Sequence, residues 1–307
     1  MDDALFALLS LLKKRGYYFV APTPATHARV VARAGRQKAR CVEDVLGWSL
    51  PFEAGSVDGD TERLLNEANA LVAHDGMLRS LVRVSSQGND LYLHSAFPTD
   101  QHDAVFFGPD SYRFADLITA ELAAHPPGQG KLVVDVGTGA GVGGIVADKN
   151  CDLAQLYMTE INPVALRFAR INAAACGIEP RLLLTNRLDG IEQPIDLAVA
   201  NPPYIMDERQ RLYRDGGGQY GGEATTVMAD FILPRLAKTG KLILYSGSAI
   251  LSGKDEMKAR LEALAERYGC RLHYRELDPD VFGEELERPA YADVDRIAVI
   301  SAIFERR

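Results

Sequence analysis

Residues Lys131 to Ile145 read KLVVDVGTGAGVGGI. The run from Leu132 to Val136 is apolar apart from Asp135 and stops abruptly at Gly137, as in a parallel strand covered on both faces. Gly137, Gly139 and Gly141 allow a tight turn and let a ligand lie against the backbone with no Cβ in the way. The helix that follows directs its free N–H groups toward that turn. Strand, glycine turn and helix in this order make a nucleotide-type site. Glycine-rich turns also occur as plain connections, so the spacing downstream decides between the two.

A second apolar segment, LAQLYMTE, ends in Glu160, 25 residues after Asp135. That distance suits one βαβ unit, and a carboxylate at the tip of the second strand is where such folds hold two ribose hydroxyls. RLLLTN reads as a third strand. IDLAVA reads as a fourth and runs directly into Asn201-Pro202-Pro203-Tyr204. DVGTGAG, the Glu160 strand end and NPPY, in that order, resemble a class I S-adenosylmethionine-dependent methyltransferase of the amino-group-modifying kind. The resemblance runs from about Phe106 to the C-terminus and is closest to the release-factor glutamine methyltransferases and the small methyltransferase domain family. It implies an α/β fold, with a seven-stranded Rossmann-like methyltransferase domain over residues 105–307, and S-adenosyl-L-methionine as cofactor. A dinucleotide oxidoreductase is the rival for the first βαβ unit. NPPY and the absence of a second phosphate loop argue against it.

The resemblance assigns roles residue by residue. Asp135 accepts hydrogen bonds from glycine-loop amides or faces the cofactor's ammonium through water. Gly137, Thr138 and Gly139 give the methionine and ribose a close backbone approach, and Glu160 accepts the ribose hydroxyls. Asn186 falls ten residues before Asp196, where the family places a side chain on the adenine amino group. The usual residue there is Asp, and the Asn carbonyl can accept the same bond. Arg187 offers its backbone N–H to the ring. Phe107, Asp110 and Ser111, at the start of the helix SYRFADLITAEL, are further cofactor candidates, equally readable as a helix cap plus core aromatics. Asn162-Pro163 is an N-cap followed by Pro at the first helical position, and so structural.

Methyl transfer from a sulfonium is an in-line displacement, so positioning and dipoles supply most of the catalysis. The nucleophile suited to NPPY is a planar amino nitrogen whose lone pair must be freed toward the methyl group. The Asn201 side-chain carbonyl and the Pro202 backbone carbonyl do this by accepting its two hydrogens. Pro202 and Pro203 fix the turn, and Tyr204 stacks on the planar group. Asn201, Pro202 and Tyr204 are therefore the catalytic candidates, with Asn201 also facing the cofactor. No strong base is needed, in keeping with the lack of His or Cys in the motif. The loop MDERQRLYRDGGGQYGGEATT follows, with five glycines among residues 214–222. Its composition suggests a mobile lid or a stretch that substrate approaches closely. Pro203, Tyr213, Arg214 and Tyr220 are the substrate-contact candidates. The long connection DPDVFGEELERPAYADVD carries five acids, Asp278, Asp280, Glu284, Glu285 and Glu287, which read either as a surface loop or as a site for a cationic or polar small substrate.

The preceding residues 1–104 read as a mainly helical, winged-helix-like N-terminal domain, of a size suited to recruiting substrate. Helices are expected over Asp2–Arg15, Pro24–Ala34, Gln37–Trp48 and Thr61–Ala73. MLRSLVRV and DLYLHSAF then form a hairpin around SSQGN. Arg29, Arg33, Arg36 and Arg40 would form one basic stripe on an unbroken helix, though Gly35 interrupts the run.

The chain of 307 residues is 47% hydrophobic, enough for two domains, and its net charge of −8 argues against a large sequence-independent nucleic-acid footprint. Four scattered cysteines form no metal-binding spacing, so no metal is expected. The segment ALFALLSLL is too short to span a membrane and has its basic residues on the wrong side for a signal peptide. A cytoplasmic protein without membrane attachment is expected. Three acceptors remain open: a protein glutamine, favoured by the DVGTGAG–NPPY–glycine-loop pattern; an adenine or guanine amino group in RNA or DNA; and a small metabolite. A protein that binds S-adenosylmethionine for another reaction is the remaining reading.

Overall fold

The computed structural model describes all 307 residues. In chain order the N-terminal part contains α1 (Asp2–Lys14), α2 (Pro24–Val31), α3 (Val42–Leu46) and α4 (Gly59–Glu67), then β1 (Leu71–His74), β2 (Met77–Ser80), β3 (Val82–Gln87) and β4 (Asp90–Ser95). The rest comprises α5 (Pro109–Ala124), β5 (Lys131–Val136), α6 (Val142–Asn150), β6 (Leu153–Glu160), α7 (Pro163–Ala175), β7 (Arg181–Leu184), β8 (Ile195–Ala200), α8 (Glu223–Ile232), β9 (Leu236–Leu251), β10 (Lys254–Asp255), α9 (Glu256–Arg267), β11 (Cys270–Asp278) and β12 (Arg296–Arg306). The central sheet runs β11-β12-β9-β8-β5-β6-β7, with the two-residue β10 added antiparallel to β9. β7, β6, β5, β8 and β9 pair in parallel, while β12 is antiparallel to both of its neighbours, so the sheet is mixed.

Alternate residues of the central strands feed two cores. Val133, Leu197 and Ile243 face a cluster that includes Phe114 and Ile118 of α5, Ile145 of α6 and Phe168 of α7. Val134, Ala198 and Leu242 face a second cluster with Ile232 of α8 and Leu261 of α9. Helices thus cover both faces, which is why the middles of β5 (Leu132–Val134) and β8 (Leu197–Ala200) are continuously apolar.

Residues on both sides of position 104 share the first cluster: Leu5, Leu46, Tyr92 and Leu93 belong to the same buried group as Phe168 and Ala169. Asn172 of α7 stitches the two parts together. It is fully buried, its Oδ1 accepts from the Leu93 N–H at 2.8 Å, and its Nδ2 donates to the carbonyls of Leu93 at 3.0 Å and Ala140 at 2.9 Å. The carboxylate of Asp2 holds Arg167 and Arg170, both at 2.6 Å.

The N-terminal part departs from the sequence reading in three places. The helix expected over Gln37–Trp48 shrinks to α3, because Arg36 and Arg40 turn back onto the Asp44 carboxylate and Ala39 donates to the Pro51 carbonyl. The helix expected to reach Ala73 ends at Glu67. Leu71–His74 instead pairs with Met77–Ser80 across Asp75-Gly76, both at positive φ, the usual chemistry of a two-residue hairpin turn. There are therefore two hairpins, the second being β3–β4. The arginines form no stripe: α2 ends before Arg33, Gly35 takes φ +78°, and the Arg36 guanidinium lies over Trp48 while paired to Asp44 at 2.9 Å. No helix is long and apolar enough to cross a membrane.

Candidate active site

A cavity of about 550 Å³ opens beyond the C-terminal ends of β5, β6 and β8. Such crevices at the carboxyl ends of parallel strands are where α/β sheets bind ligands. Its floor is the glycine turn. Gly137, Gly139 and Gly141 all have positive φ, and the N–H groups of Gly137 and Thr138 both donate to the Thr159 carbonyl, at 2.9 and 3.0 Å. Asp135 is buried beneath this turn. Its Oδ2 accepts from the Thr138 hydroxyl at 2.5 Å and from the Gly144 N–H at 2.7 Å, locking the loop to the start of α6. A Cβ at Gly143 would stand 2.7 Å from the Asp135 carboxylate, so that glycine is needed for close packing of helix on strand.

Burial raises the Asp135 carboxyl from its ordinary 3.8 to about 6, against the lowering effect of the Thr138 and Gly144 hydrogen bonds. A carboxyl whose pKa is raised by folding favours the folded state below the unfolded value, and that contribution is lost as pH rises through the folded one. The pH window is therefore about 3.8 to 6. Asp135→Asn keeps the acceptor oxygen and removes the charge. Its stability relative to the parent is expected to rise across that window and level off above it, by roughly 3 kcal/mol at most. Thermal denaturation of the ligand-free pair at several pH values measures this, and a pH-independent difference would show that Asp135 is not the titrating group.

Glu160 is nearly buried at the tip of β6. Its Oε2 accepts from the Gly139 N–H at 2.9 Å, and its Oε1 accepts from Ile161 and Asn162 at 2.9 and 3.1 Å. Burial raises its pKa, opposed by these three amides. Asn162 caps α7 as expected, accepting from the Val164 N–H at 2.9 Å.

Asn201, Pro202, Pro203 and Tyr204, which follow β8, also line the cavity, together with Tyr213 and Arg214, while Asn186 lines it from the end of β7, next to the Glu160 strand. The Tyr204 hydroxyl donates to Asp110 Oδ2 at 2.8 Å, and its ring meets Phe282 edge-on at 5.8 Å. Tyr213 stacks on Phe106 at 5.3 Å, with its hydroxyl 2.9 Å from that of Thr99. Arg214 reaches Glu285, lies 3.7 Å from Asp207 and holds its guanidinium over Phe282.

The glycine-rich loop packs as a buttress against the NPPY turn. Ile205 and residues 214–216 exchange backbone hydrogen bonds: Ile205 N–H to the Arg214 carbonyl at 3.3 Å, and Gly216 N–H to the Ile205 carbonyl at 2.8 Å. A Cβ on Gly216 would overlap the carbonyls of Gly221 and Pro203, and one on Gly221 would overlap the carbonyl of Tyr204. These glycines let the loop press against the NPPY backbone. Gly221 also has φ +88°, whereas Gly218 sits in ordinary space beside the flexible end of Glu223. Gly221→Ala is therefore expected to cost roughly 2–4 kcal/mol, from overpacking and left-handed strain, against under ~0.5 kcal/mol for Gly218→Ala. Denaturant melts of the two variants compare them, and equal stability would remove the buttress.

Five of the sequence-read residues lie elsewhere or act differently. The Arg187 N–H donates to Thr185 Oγ1 at 3.2 Å and its guanidinium lies over Phe231, so Arg187 stays outside the cavity wall that Thr185 and Asn186 form. Tyr220 packs toward Tyr291 at 6.4 Å and lines a separate small crevice. Phe107 is core, stacked between Tyr92 and His94. Of the five acids in the long connection, Asp278 pairs with Arg113 and Glu285 with Arg214 and Arg288, which neutralises them. Phe282 was missed. Its signal was an aromatic beside Gly283 in that acidic segment, and it takes φ +54°, a conformation bulky residues avoid.

Residues 100–214 match the family model described as methyltransferase small domain, which bears out over those residues the resemblance read from the sequence. A release factor glutamine methyltransferase of Deinococcus radiodurans is 37% identical over 160 residues, covering 50% of this chain and 55% of that protein. A ribosomal RNA small subunit methyltransferase C of Serratia proteamaculans is 33% identical over 166 residues, covering 48% of this chain and 47% of that one. The chain thus spans about half the length of the curated relatives it matches. Among solved structures, wild-type Trm5b from Pyrococcus abyssi shares the fold with a TM-score of 0.50 at 13% identity, covering 76% of this chain and 62% of that one.

Proposed function

We propose that this chain is an S-adenosylmethionine-dependent N-methyltransferase acting on a planar amino group, most closely allied to the protein-glutamine enzymes. The observation that carries the reading is the meeting, in one cavity, of the Asp135–Gly139 turn, the Glu160 carboxylate and the Asn201–Tyr204 turn. The first two fit an adenosine-bearing cofactor. The turn offers a glycine surface free of side chains, and Glu160 uses three of its roughly four lone-pair positions on its own chain, so a ribose hydroxyl would share Oε2 with the Gly139 amide or displace it. Bound there, S-adenosylmethionine supplies a methyl group activated by its sulfonium.

The chain's own residues do the rest. Asn201 Oδ1 and the Pro202 carbonyl accept the two hydrogens of the acceptor nitrogen and turn its lone pair toward the methyl group. Tyr204 confines the acceptor plane from one side, with Pro203, Tyr213 and Arg214 as further contacts. Tyr220 and the Arg187 amide have no part in this reading. The nitrogen becomes cationic on methylation and sheds its extra proton to water as the product leaves, so no buried base is required.

The acceptor favoured is a protein glutamine, supported by the likeness to the Deinococcus enzyme. A nucleobase amino group is the second reading, supported by the Serratia relative and the aromatic walls Phe106–Tyr213 and Tyr204–Phe282. Residues 1–104 would serve as a winged-helix-like recruiting module, since Pro24 at the start of α2 reaches the cavity rim. A cytoplasmic setting accords with four free cysteines. The test is to identify the methylated atom. Acid hydrolysis of the labelled product should release labelled methylamine if a carboxamide nitrogen accepts, and should leave a methylated base if a nucleobase does. Label on oxygen, sulfur or carbon would contradict the reading.

A further inference from the structure

The methyl-transfer reading, on which this inference rests, gives Asp110 at most a place beside the cofactor. The hydrogen bonds around it point elsewhere. Asp110 is the second residue of α5, where a helix dipole favours a carboxylate. Its Oδ2 accepts from the Tyr204 hydroxyl at 2.8 Å, and its Oδ1 accepts from the Tyr245 hydroxyl at 2.7 Å. Arg113, one turn on, lies 3.4 Å from Oδ1 and reaches Asp278 at 3.0 Å. Three distant segments therefore converge on one carboxylate: the start of α5, the turn that follows β8, and the middle of β9.

Both phenols are deeply placed, Tyr204 being 7% exposed and Tyr245 fully buried. A buried phenol needs a partner, and an ionised acceptor gives a shorter and stronger bond than a neutral one. The Tyr204 ring is also boxed in: a Cβ on Gly247 would overlap it on one side, and Phe282 meets its edge. The ring that faces the acceptor thus has one allowed orientation, and the bond to Asp110 fixes it at the far end.

We propose that Asp110 is a positioning residue that acts through Tyr204: it anchors the ring, and with it the Asn201–Tyr204 turn, against α5 and β9. Asp110 does not itself hold the cofactor. Asp110→Asn and Tyr204→Phe, both close in shape to the parent, and their double variant test this. Each single change is expected to lower kcat for labelled-methyl transfer into host lysate on the order of tenfold to a hundredfold, because small misplacements of a reacting group are costly. Affinity for S-adenosylhomocysteine, by calorimetry, should stay within about threefold, and the double variant should be no worse than either single one.

Fluorine NMR of the fluorotyrosine-labelled, ligand-free protein gives a readout that needs no turnover. The Tyr204 resonance, assigned by its loss in Tyr204→Phe, should shift or broaden in Asp110→Asn. An unchanged resonance overturns the proposal, as do multiplicative losses in the double variant. More than about tenfold weaker S-adenosylhomocysteine binding in Asp110→Asn, with none in Tyr204→Phe, overturns it too and moves Asp110 to the cofactor. Absence of transfer by the parent protein would instead contradict the methyl-transfer reading and leave the NMR result to decide the clamp.

Discussion

Asn201→Ala is expected to lower methyl transfer at least a hundredfold while cofactor affinity stays within about threefold, a loss on the scale of removing one preorganised polar group from an active site. The expected effect is differential. On the proposed reading, the Asn201 amide would gain most when the acceptor nitrogen acquires positive charge and its two hydrogens become stronger donors, and only that gain would accelerate the chemical step. The carbonyl of Pro202 remains in the variant, and on the proposed reading it is not expected to turn the lone pair alone. Asn201→Asp keeps an acceptor oxygen and should fall between the two. Single-turnover transfer with labelled S-adenosylmethionine, beside calorimetry with S-adenosylhomocysteine, separates chemistry from binding. Loss of binding with an unchanged single-turnover rate would reassign Asn201 to the cofactor.

Glu160→Ala should act the other way round. Hydrogen bonds to a charged acceptor are worth roughly 1.5–3 kcal/mol, so cofactor affinity should weaken by about 10- to 150-fold. The rate at saturating cofactor should change by a few-fold only. Alanine also strands the N–H groups of Gly139, Ile161 and Asn162, which now share one carboxylate. Glu160→Gln keeps one oxygen for them and is expected to lose less. Titration by calorimetry gives the affinities. If Glu160→Ala binds as the parent does but fails to turn over, the carboxylate belongs to the chemistry and not to the ribose.

The strand, glycine turn and helix from Lys131 onward were legible because they are local: a buried parallel strand, a left-handed turn and a helix start each leave their mark within fifteen residues. The Asn162-Pro163 cap and the strand ends at Glu160 and Asn201 were legible for the same reason. The long-range partners were not. Tyr204 finds Asp110 at a separation of 94 residues and Arg214 finds Glu285 at 71, and no periodicity encodes such pairs. Gly216 and Gly221 advertised freedom in the sequence. In the fold they buy closeness, since the same missing Cβ that loosens a chain also lets two backbones touch. The β1–β2 hairpin was legible in Asp75-Gly76 but was absorbed into a helical reading of Thr61–Ala73, whose apolar residues fit that period nearly as well.

In the proposed function this cavity moves a methyl group to a planar nitrogen by means of the Asn201–Tyr204 turn. The most direct measurement incubates the protein and its Asn201→Ala variant with methyl-labelled S-adenosylmethionine and a lysate of the host. Protein, nucleic-acid and small-molecule fractions are then counted separately. Label in one fraction, absent with the variant although the variant still binds S-adenosylhomocysteine, is the predicted result, with the protein fraction favoured. Equal labelling by parent and variant, or no labelling by a parent that binds the cofactor, would contradict it.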